Sequence, residues 1–192
     1  LIYGPAIRSY MMGEAPPAFD LLYWNGDGTN LPARMAVQYL RDLCQQDKLA
    51  QGTFEMCGET LALRDIEVPF AAIACETDHI AAWRASYEGF RHFKSRSKTF
   101  ILSESGHIAG IVNPPTKKKY GHYTHDDLKL PAEEWRKVAE YHEGSWWPRW
   151  GEWLKKRSGR QVEARVPGAH PDYPALAPAP GTYVVADPNA HR

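Results

Sequence analysis

Cysteine is scarce in this chain, with Cys44, Cys57 and Cys75 the only three among 192 residues. Disulfide-bonded secreted domains more often have an even number of cysteines, so an odd and scattered set favours a reducing cytosol. No two of these cysteines form a Cys-x-x-Cys pair, which argues against zinc knuckles and thioredoxin-type redox chemistry.

Long apolar runs and an excess of one charge are also missing. The longest apolar stretch, Val68 to Cys75, is far too short to span a bilayer. The 23 basic residues equal the 23 acidic residues, so the composition does not indicate a nucleic-acid partner. Leu1 stands where an initiating Met would stand and no secretory signal follows, so we expect a fragment of a longer protein.

Hydrophobic residues make up 43% of the chain, enough for the core of one domain. Two apolar runs, Val68–Cys75 and Thr99–Ser103, are typical of short buried strands in a parallel sheet. Between them, aromatic residues at i, i+4 and i+7 predict a helix over residues 81–93. The order strand, helix, strand predicts an α/β fold with a mostly parallel sheet.

Three further helices are predicted along the chain. The first covers Met35–Asp47, the second Ala132–His142 and the third Pro148–Arg157, where a proline suits the first turn. Beyond Arg165, five prolines precede Gly181, so we expect an extended tail.

Asp78 and His107 each follow one of the two predicted strands. Parallel strands joined by one crossover helix end at the same edge of the sheet, where reactive groups collect. We therefore expect the carboxylate and the imidazole to lie close together. Their order also matches α/β-hydrolases, in which the nucleophile comes first, then Asp, then His.

These two residue types suit nucleophilic catalysis. A histidine can take a proton from a nucleophile near neutral pH and return it later, and a nearby carboxylate fixes its tautomer. Simpler interpretations stay open, because Asp78 could only cap the next helix and His107 could be a hydrogen-bonded loop residue.

Five segments carry long motifs in a fixed order. They are Phe19–Pro32 with Trp-Asn-Gly-Asp-Gly-Thr-Asn-Leu-Pro, Asp78–Ile80 with Trp83, Ser105–Gly110 with Asn113–Pro115, Gly144–Pro148, and Pro178–Val184. Together they resemble the polyhydroxyalkanoate synthases, particularly those of class I. The resemblance covers about residues 19–186, nearly the whole chain.

The resemblance implies the C-terminal portion of an α/β-hydrolase fold with part of a cap subdomain. Residues 1–58 would belong to the cap or lid, residues 59–164 to the catalytic core, and residues 165–192 to a Pro-rich tail. The implied activity is polymerisation of (R)-3-hydroxyacyl groups from coenzyme A thioesters by a Cys-His-Asp triad. In that family the histidine matching His107 deprotonates the cysteine. The aspartate matching Asp78 activates the 3-hydroxyl of an acyl unit or supports the histidine.

One departure from the family concerns the nucleophile, which sits in a Gly-x-Cys-x-Gly elbow. None of the three cysteines here is flanked by the glycines that this tight strand-to-helix turn requires. We therefore assign no nucleophile in this chain. We expect the cysteine and the oxyanion-hole donors upstream, and we expect this piece alone to be inactive.

The expected partners are the 3-hydroxyacyl-CoA substrate, the growing polyester chain with its granule, and a second copy in a homodimer. We expect no cofactor, because coenzyme A is a leaving group, and no metal ion. The expected location is the cytoplasm, at polyester granules. Two other functions stay open: hydrolysis by an esterase, thioesterase or depolymerase of the same fold, and a non-catalytic granule-binding module.

Other conspicuous residues have a structural and a functional interpretation. Trp24–Asp27 is either a lid element or a turn with a core tryptophan. We prefer a structural role for His79, solvated segments for Lys117–Lys119 and for the group His122, His125, Asp126 and Asp127, and core packing for the face formed by Trp146, Trp150 and Trp153. The alternatives are coenzyme A phosphate binding by the lysines, a metal site at the histidines, and granule or subunit contact by the tryptophans.

Overall fold

The computed structural model describes residues 3–15 and 28–182, so the predicted lid element Trp24–Asp27 lies outside the described residues. The described residues before the first strand are mostly helical. Helix α1 (Tyr3–Ala6) continues as a π-helix over Ile7–Met11. Helix α2 (Ala33–Gln38) continues as a π-helix over Tyr39–Gln45, and α3 (Lys48–Gln51) follows it. Asp42 is buried and binds the side chains of Arg41 and Lys48. In contrast, apolar side chains of α2 and its extension, such as Met35 and Leu40, are exposed.

A small hairpin follows these helices. Strand β1 (Phe54–Met56) pairs antiparallel with β2 (Glu59–Leu61), and both turn residues, Cys57 and Gly58, have positive φ. The boundary that the sequence predicts after residue 58 therefore falls inside a hairpin. A short 3₁₀ turn, Leu63–Asp65, leads on to the main sheet.

The main sheet begins with the predicted strand–helix–strand unit. Strand β3 (Phe70–Cys75) lies parallel to β4 (Lys98–Ser103), with Phe70 opposite Lys98 and Cys75 opposite Ser103. Helix α4 (Trp83–Arg91) connects them. The two strands therefore end side by side, in agreement with the predicted crossover.

Two further strands make the sheet mixed, and the prediction of a mostly parallel sheet is wrong for the described residues. Strand β5 (His122–Thr124) pairs antiparallel with β4, and β6 (Glu140–His142) pairs antiparallel with β5, which gives the order β3-β4-β5-β6. The loop after β4 contains a 3₁₀ turn at Pro115–Lys117 but no helix that would carry the chain back to the other end of the sheet. It therefore re-enters the sheet at the end where it left, and an antiparallel strand results.

An aromatic core covers one face of the sheet. Helices α4 and α5 (Ala132–Val138) pack there, and the Tyr87 ring lies 5.0 Å from Phe100 and 5.4 Å from Trp135. Helix α5 is shorter than the predicted helix to His142. Ala139 adopts an extended conformation, and the next three residues join the sheet as β6.

The opposite face carries helix α6 (Trp147–Lys155), with Pro148 in its first turn. A groove of about 720 Å³ separates the helix from the strands. Trp146, just before the helix, is buried, whereas Trp150 is 38% exposed. Core packing of the tryptophan face is therefore right for Trp146 and wrong for Trp150, and Trp153 is only half-buried, because the helix does not lie flat on the sheet.

Residues 165–182 contain no helix or strand, and nearly all of them are exposed. Across the described ranges, no helix combines the length and the apolar character needed to cross a bilayer.

Candidate active site

Asp78 lies in the turn that follows β3. Its Oδ1 atom accepts hydrogen bonds from the backbone N–H groups of Ile80 (2.8 Å) and Ala81 (2.9 Å). These bonds order the turn before α4, whose N-cap is Ala82, so Asp78 is not the N-cap of that helix. The Oδ2 atom points elsewhere and is available for a second partner.

That partner is His107. Its Nδ1 atom lies 2.9 Å from Asp78 Oδ2, so the structure brings together the two residues that the sequence predicts to meet. The Asp78 side chain is 7% exposed, whereas that of His107 is 46% exposed. The carboxylate is thus shielded behind a ring that remains accessible.

Backbone contacts join the two turns. Ser105 has a φ of +76°, and its carbonyl accepts a hydrogen bond of 3.1 Å from the Thr77 N–H. A left-handed conformation is uncommon for a residue with a side chain, and such positions cluster at functional sites. The bond holds the loop before His107 against the turn that contains Asp78.

The local field keeps Asp78 ionised. Hydrogen bonds, above all from the Ala81 N–H and also from His107 and Ile80, lower the pKa of Asp78 to about 2, although desolvation acts in the opposite direction. A carboxylate accepts a hydrogen bond from Nδ1–H, which leaves the lone pair of a neutral imidazole on Nε2. An oriented Nε2 on an accessible ring can act as a general base.

Cys75 lies close to this pair in sequence but does not suit nucleophilic attack. It is 1% exposed, and burial, together with the charge of Asp78, raises the pKa of its thiol to about 11. The thiolate that a nucleophile requires is therefore disfavoured. Cys44 and Cys57 are exposed in the N-terminal helical part and the hairpin turn.

The other candidate residues lie apart from this pair or have structural contacts. His79 and Lys117–Lys119 are exposed. His122, in contrast, is buried in β5, so its predicted solvated position is wrong. Its Nδ1–H donates to the Gly144 carbonyl at 3.0 Å, and its ring stacks on His142. Among the described residues, no group of three His, Cys, Asp or Glu side chains is arranged to hold a metal ion.

One contact of the His107 loop is not visible in the sequence pattern. The buried indole of Trp146 donates a hydrogen bond to the Gly110 carbonyl, three residues after His107. The motif Gly144–Pro148 singles out this tryptophan, but a motif alone does not reveal what its side chain contacts.

Known proteins resemble the chain over nearly its whole length. It is 42% identical over 185 residues to the poly(3-hydroxyalkanoate) polymerase of Methylorubrum extorquens, which covers 96% of the chain and 30% of that protein. It is 39% identical over 187 residues to the poly(3-hydroxyalkanoate) polymerase subunit PhaC of Cupriavidus necator, covering 97% of the chain and 32% of that protein. The subunit PhaC of Rhizobium etli is 38% identical over 185 residues, covering 96% and 29% respectively.

No protein-family model matches the chain. The chain spans about a third of the length of the curated relatives that it matches. Identity at this level over almost all of its residues shows that the chain belongs to the family of poly(3-hydroxyalkanoate) polymerases.

Proposed function

We propose that this chain supplies the general base and its orienting carboxylate to an acyltransferase that polymerises (R)-3-hydroxyacyl groups from coenzyme A thioesters. The observation that carries the proposal is the 2.9 Å contact between His107 Nδ1 and Asp78 Oδ2, on a ring whose other side is accessible. We place the nucleophile on a cysteine in upstream polypeptide, because none of the three cysteines here lies in a Gly-x-Cys-x-Gly elbow and Cys75 is also buried with a raised thiol pKa.

The first half-reaction loads the enzyme. The cysteine sulfur attacks the thioester carbonyl carbon while His107 Nε2 takes the thiol proton. The bond between that carbon and the coenzyme A sulfur then breaks, and the departing sulfur receives the proton from His107. The products are an acyl-cysteine and free coenzyme A.

The second half-reaction extends the chain. The 3-hydroxyl oxygen of another acyl unit attacks the acyl-cysteine carbonyl, and His107 takes the hydroxyl proton. The cysteine sulfur leaves and recovers that proton. One ester bond forms and one thioester bond breaks, so the same base serves both steps.

Asp78 orients His107 in this scheme and does not itself deprotonate the hydroxyl. Both of its oxygens are already engaged, Oδ1 by two backbone N–H groups and Oδ2 by the imidazole. A carboxylate with a pKa of about 2 is also a weak base for a hydroxyl group.

The finer architecture is proposed on the family relationship. On this basis we propose residues 59–164 as the C-terminal half of an α/β-hydrolase core, residues 1–58 as part of a cap or lid, and residues 165–192 as an extended Pro-rich tail. The working enzyme is a homodimer at polyester granules in the cytoplasm. It uses no cofactor, since coenzyme A is the leaving group of its substrate.

Hydrolysis is the main competing activity, since water could replace the hydroxyl in the second half-reaction. The Asp78–His107 pair would serve that chemistry equally well. Polymerisation is favoured because the relatives that match the chain carry the name polymerase.

The test uses the complete gene product that contains this chain and 3-hydroxybutyryl-CoA. His107→Ala should lower turnover by about 10³-fold or more, since the imidazole is the proposed proton acceptor in both half-reactions. Coenzyme A release and polymer mass are measured together, because hydrolysis would give the first without the second. His79→Ala, which alters an exposed neighbouring imidazole, is the matched control and should stay near wild type. A His107→Ala enzyme that retains more than about a tenth of the activity would overturn the proposal.

A further inference from the structure

Several contacts hold the loop that carries His107 at Gly110. The Gly110 N–H donates to the Gly106 carbonyl at 3.0 Å, closing a single turn around the histidine. A Cβ atom at Gly110 would lie 2.5 Å from Cys75 Sγ and 2.7 Å from the Glu104 carbonyl oxygen. Gly110 therefore packs directly against the end of β3, and only glycine fits there.

Two buried side chains converge on the Gly110 carbonyl. Ser103 Oγ, at the end of β4, donates to it at 2.9 Å. Trp146 Nε1, just before α6, also donates to it at 2.9 Å. Ser103 is fully buried and Trp146 is 7% exposed, so water does not compete for this oxygen.

A second tryptophan extends this contact. Trp147 Nε1 donates to the carbonyl of Ile111 at 2.9 Å, although its side chain is partly exposed. The two indoles reach consecutive carbonyls of a loop that lies 36 residues earlier in the chain. The start of α6 is thus fastened to the loop that carries the imidazole.

We propose that Trp146 is a positioning residue for His107 and acts through the Gly110 carbonyl. This inference rests on the proposed role of His107 as the base. Within the described part of the chain, loss of the indole N–H leaves Ser103 as the remaining side-chain donor to that carbonyl, so the loop can shift by a fraction of an ångström. Displacements of this size weaken the Nδ1–Oδ2 hydrogen bond and misalign Nε2, and a misplacement of about 1 Å can lower a rate by about 10²-fold.

The test compares Trp146→Phe with Trp150→Phe in the complete gene product. Phenylalanine keeps an aromatic ring at position 146 but removes the donor. Trp150 lies in α6, is 38% exposed and packs edge-on against the Trp146 ring with 5.8 Å between the centroids, so Trp150→Phe controls for altered aromatic packing around Trp146. We expect Trp146→Phe to lower kcat by about 10-fold to 10²-fold while KM changes less than about twofold. Trp150→Phe should leave both constants near wild type.

A spectroscopic readout separates positioning from mere stability. The Nδ1 proton of His107 gives a downfield NMR signal when it is bonded to Asp78, and Asp78→Asn identifies that signal by its loss. We expect Trp146→Phe to broaden or shift it at a temperature where the protein is fully folded, whereas Trp150→Phe retains it. A Trp146→Phe enzyme with an unchanged signal and kcat within about twofold of wild type would overturn the inference.

Ser103→Ala removes the other donor to the Gly110 carbonyl by a smaller change in volume. It therefore tests the inference if Trp146→Phe does not fold. It should shift the same signal and lower kcat in the same direction. If both single variants fold, the double variant should lose more than the product of the two single effects, because the two donors share one acceptor. Independent effects, or a Ser103→Ala signal identical to wild type, would count against the inference.

If His107→Ala proves fully active, the proposed function fails, while the NMR comparison still reports whether Trp146 positions the ring.

Discussion

The two faces of the main sheet differ in how completely this chain covers them. On the α4–α5 face, the rings of Tyr87, Phe100 and Trp135 pack together, and the polar atoms of the Tyr87 and Trp135 side chains are hydrogen-bonded. Tyr87 Oη donates to the Leu130 carbonyl at 3.0 Å and Trp135 Nε1 to the His125 carbonyl at 3.2 Å. The chain therefore completes this face with its own residues.

The α6 face is polar and only loosely covered. Arg149 donates hydrogen bonds to His122 Nε2 (3.3 Å) and His142 Nε2 (3.0 Å), and both imidazoles line the groove beneath the helix. Trp153 Nε1 is buried there without a hydrogen-bond partner among the described residues. Stability should therefore come mainly from the aromatic face, while Asp78 and His107 lie at the strand ends, where both faces meet.

The largest expected contrast is between a tryptophan on each face. Trp135→Ala should lower the free energy of unfolding by about 3–5 kcal/mol, because it empties a fully buried aromatic site. Trp150→Ala should lower it by only about 1–2 kcal/mol, because that side chain is 38% exposed although its ring packs on Trp146. Urea unfolding of the two variants measures the difference. Equal losses would mean that the α6 face is packed as tightly as the other.

A smaller effect is expected at the border of the aromatic face. The Arg136 guanidinium lies 3.5 Å from the centroid of the Tyr123 ring, and its Nε donates to Glu76 at 2.7 Å. Arg136→Lys keeps the charge but loses the planar stacking, and should cost about 1 kcal/mol in urea unfolding. Arg84→Lys is the comparison and should cost less, because its ion pair is more exposed and its guanidinium lies farther from a ring, 4.9 Å from the Trp83 centroid. A reversed order would contradict the assignment of Arg136 to the packed face.

The smallest expected effect is a pH dependence of stability that arises from His122 on the α6 face. Burial, together with the nearby charges of His142 and Arg149, lowers the pKa of His122, although its bond to Gly144 acts in the opposite direction. Below about pH 6.5 the unfolded chain binds a proton at this residue that the folded chain does not, so the folded state loses stability as the pH falls. His122→Gln should reduce the loss in urea midpoint between about pH 7.5 and about pH 5.5, whereas His79→Gln, at an exposed site, should not. An unchanged pH dependence in His122→Gln would show that this imidazole does not titrate with folding.

Much of the parallel part of the fold could be predicted from local sequence. The runs ending at Cys75 and Ser103 are apolar and continuous, and the helix between them has aromatic residues at helical spacing. These patterns predict a parallel pair of strands, and with it the contact between Asp78 and His107. Strands β5 and β6 were missed because each has only three residues and both are rich in polar side chains, among them His122 and His142. These strands form by pairing with residues distant in sequence, and the hydrophobic periodicity of such short segments does not indicate that pairing.

The contact between Trp146 and Gly110 could not be predicted for a related reason. It joins residues far apart in the chain through one indole N–H and one backbone carbonyl. The spacing of the tryptophans suggests a uniform apolar face, but of the three only Trp146 is fully buried, while Trp153 is half-buried and Trp150 is 38% exposed, because α6 stands away from the sheet beyond its first turn.

The role of Asp78 is the point at which the account is most directly tested. The proposed acyl transfer has two steps that can be assayed separately in the complete gene product carrying Asp78→Asn: the single-turnover release of coenzyme A that accompanies acylation of the cysteine, and the later elongation. If Asp78 orients His107, both rates should fall by similar factors, because the same imidazole serves both steps. Loss of elongation with acylation near the wild-type rate would contradict the account and assign the carboxylate to the substrate hydroxyl.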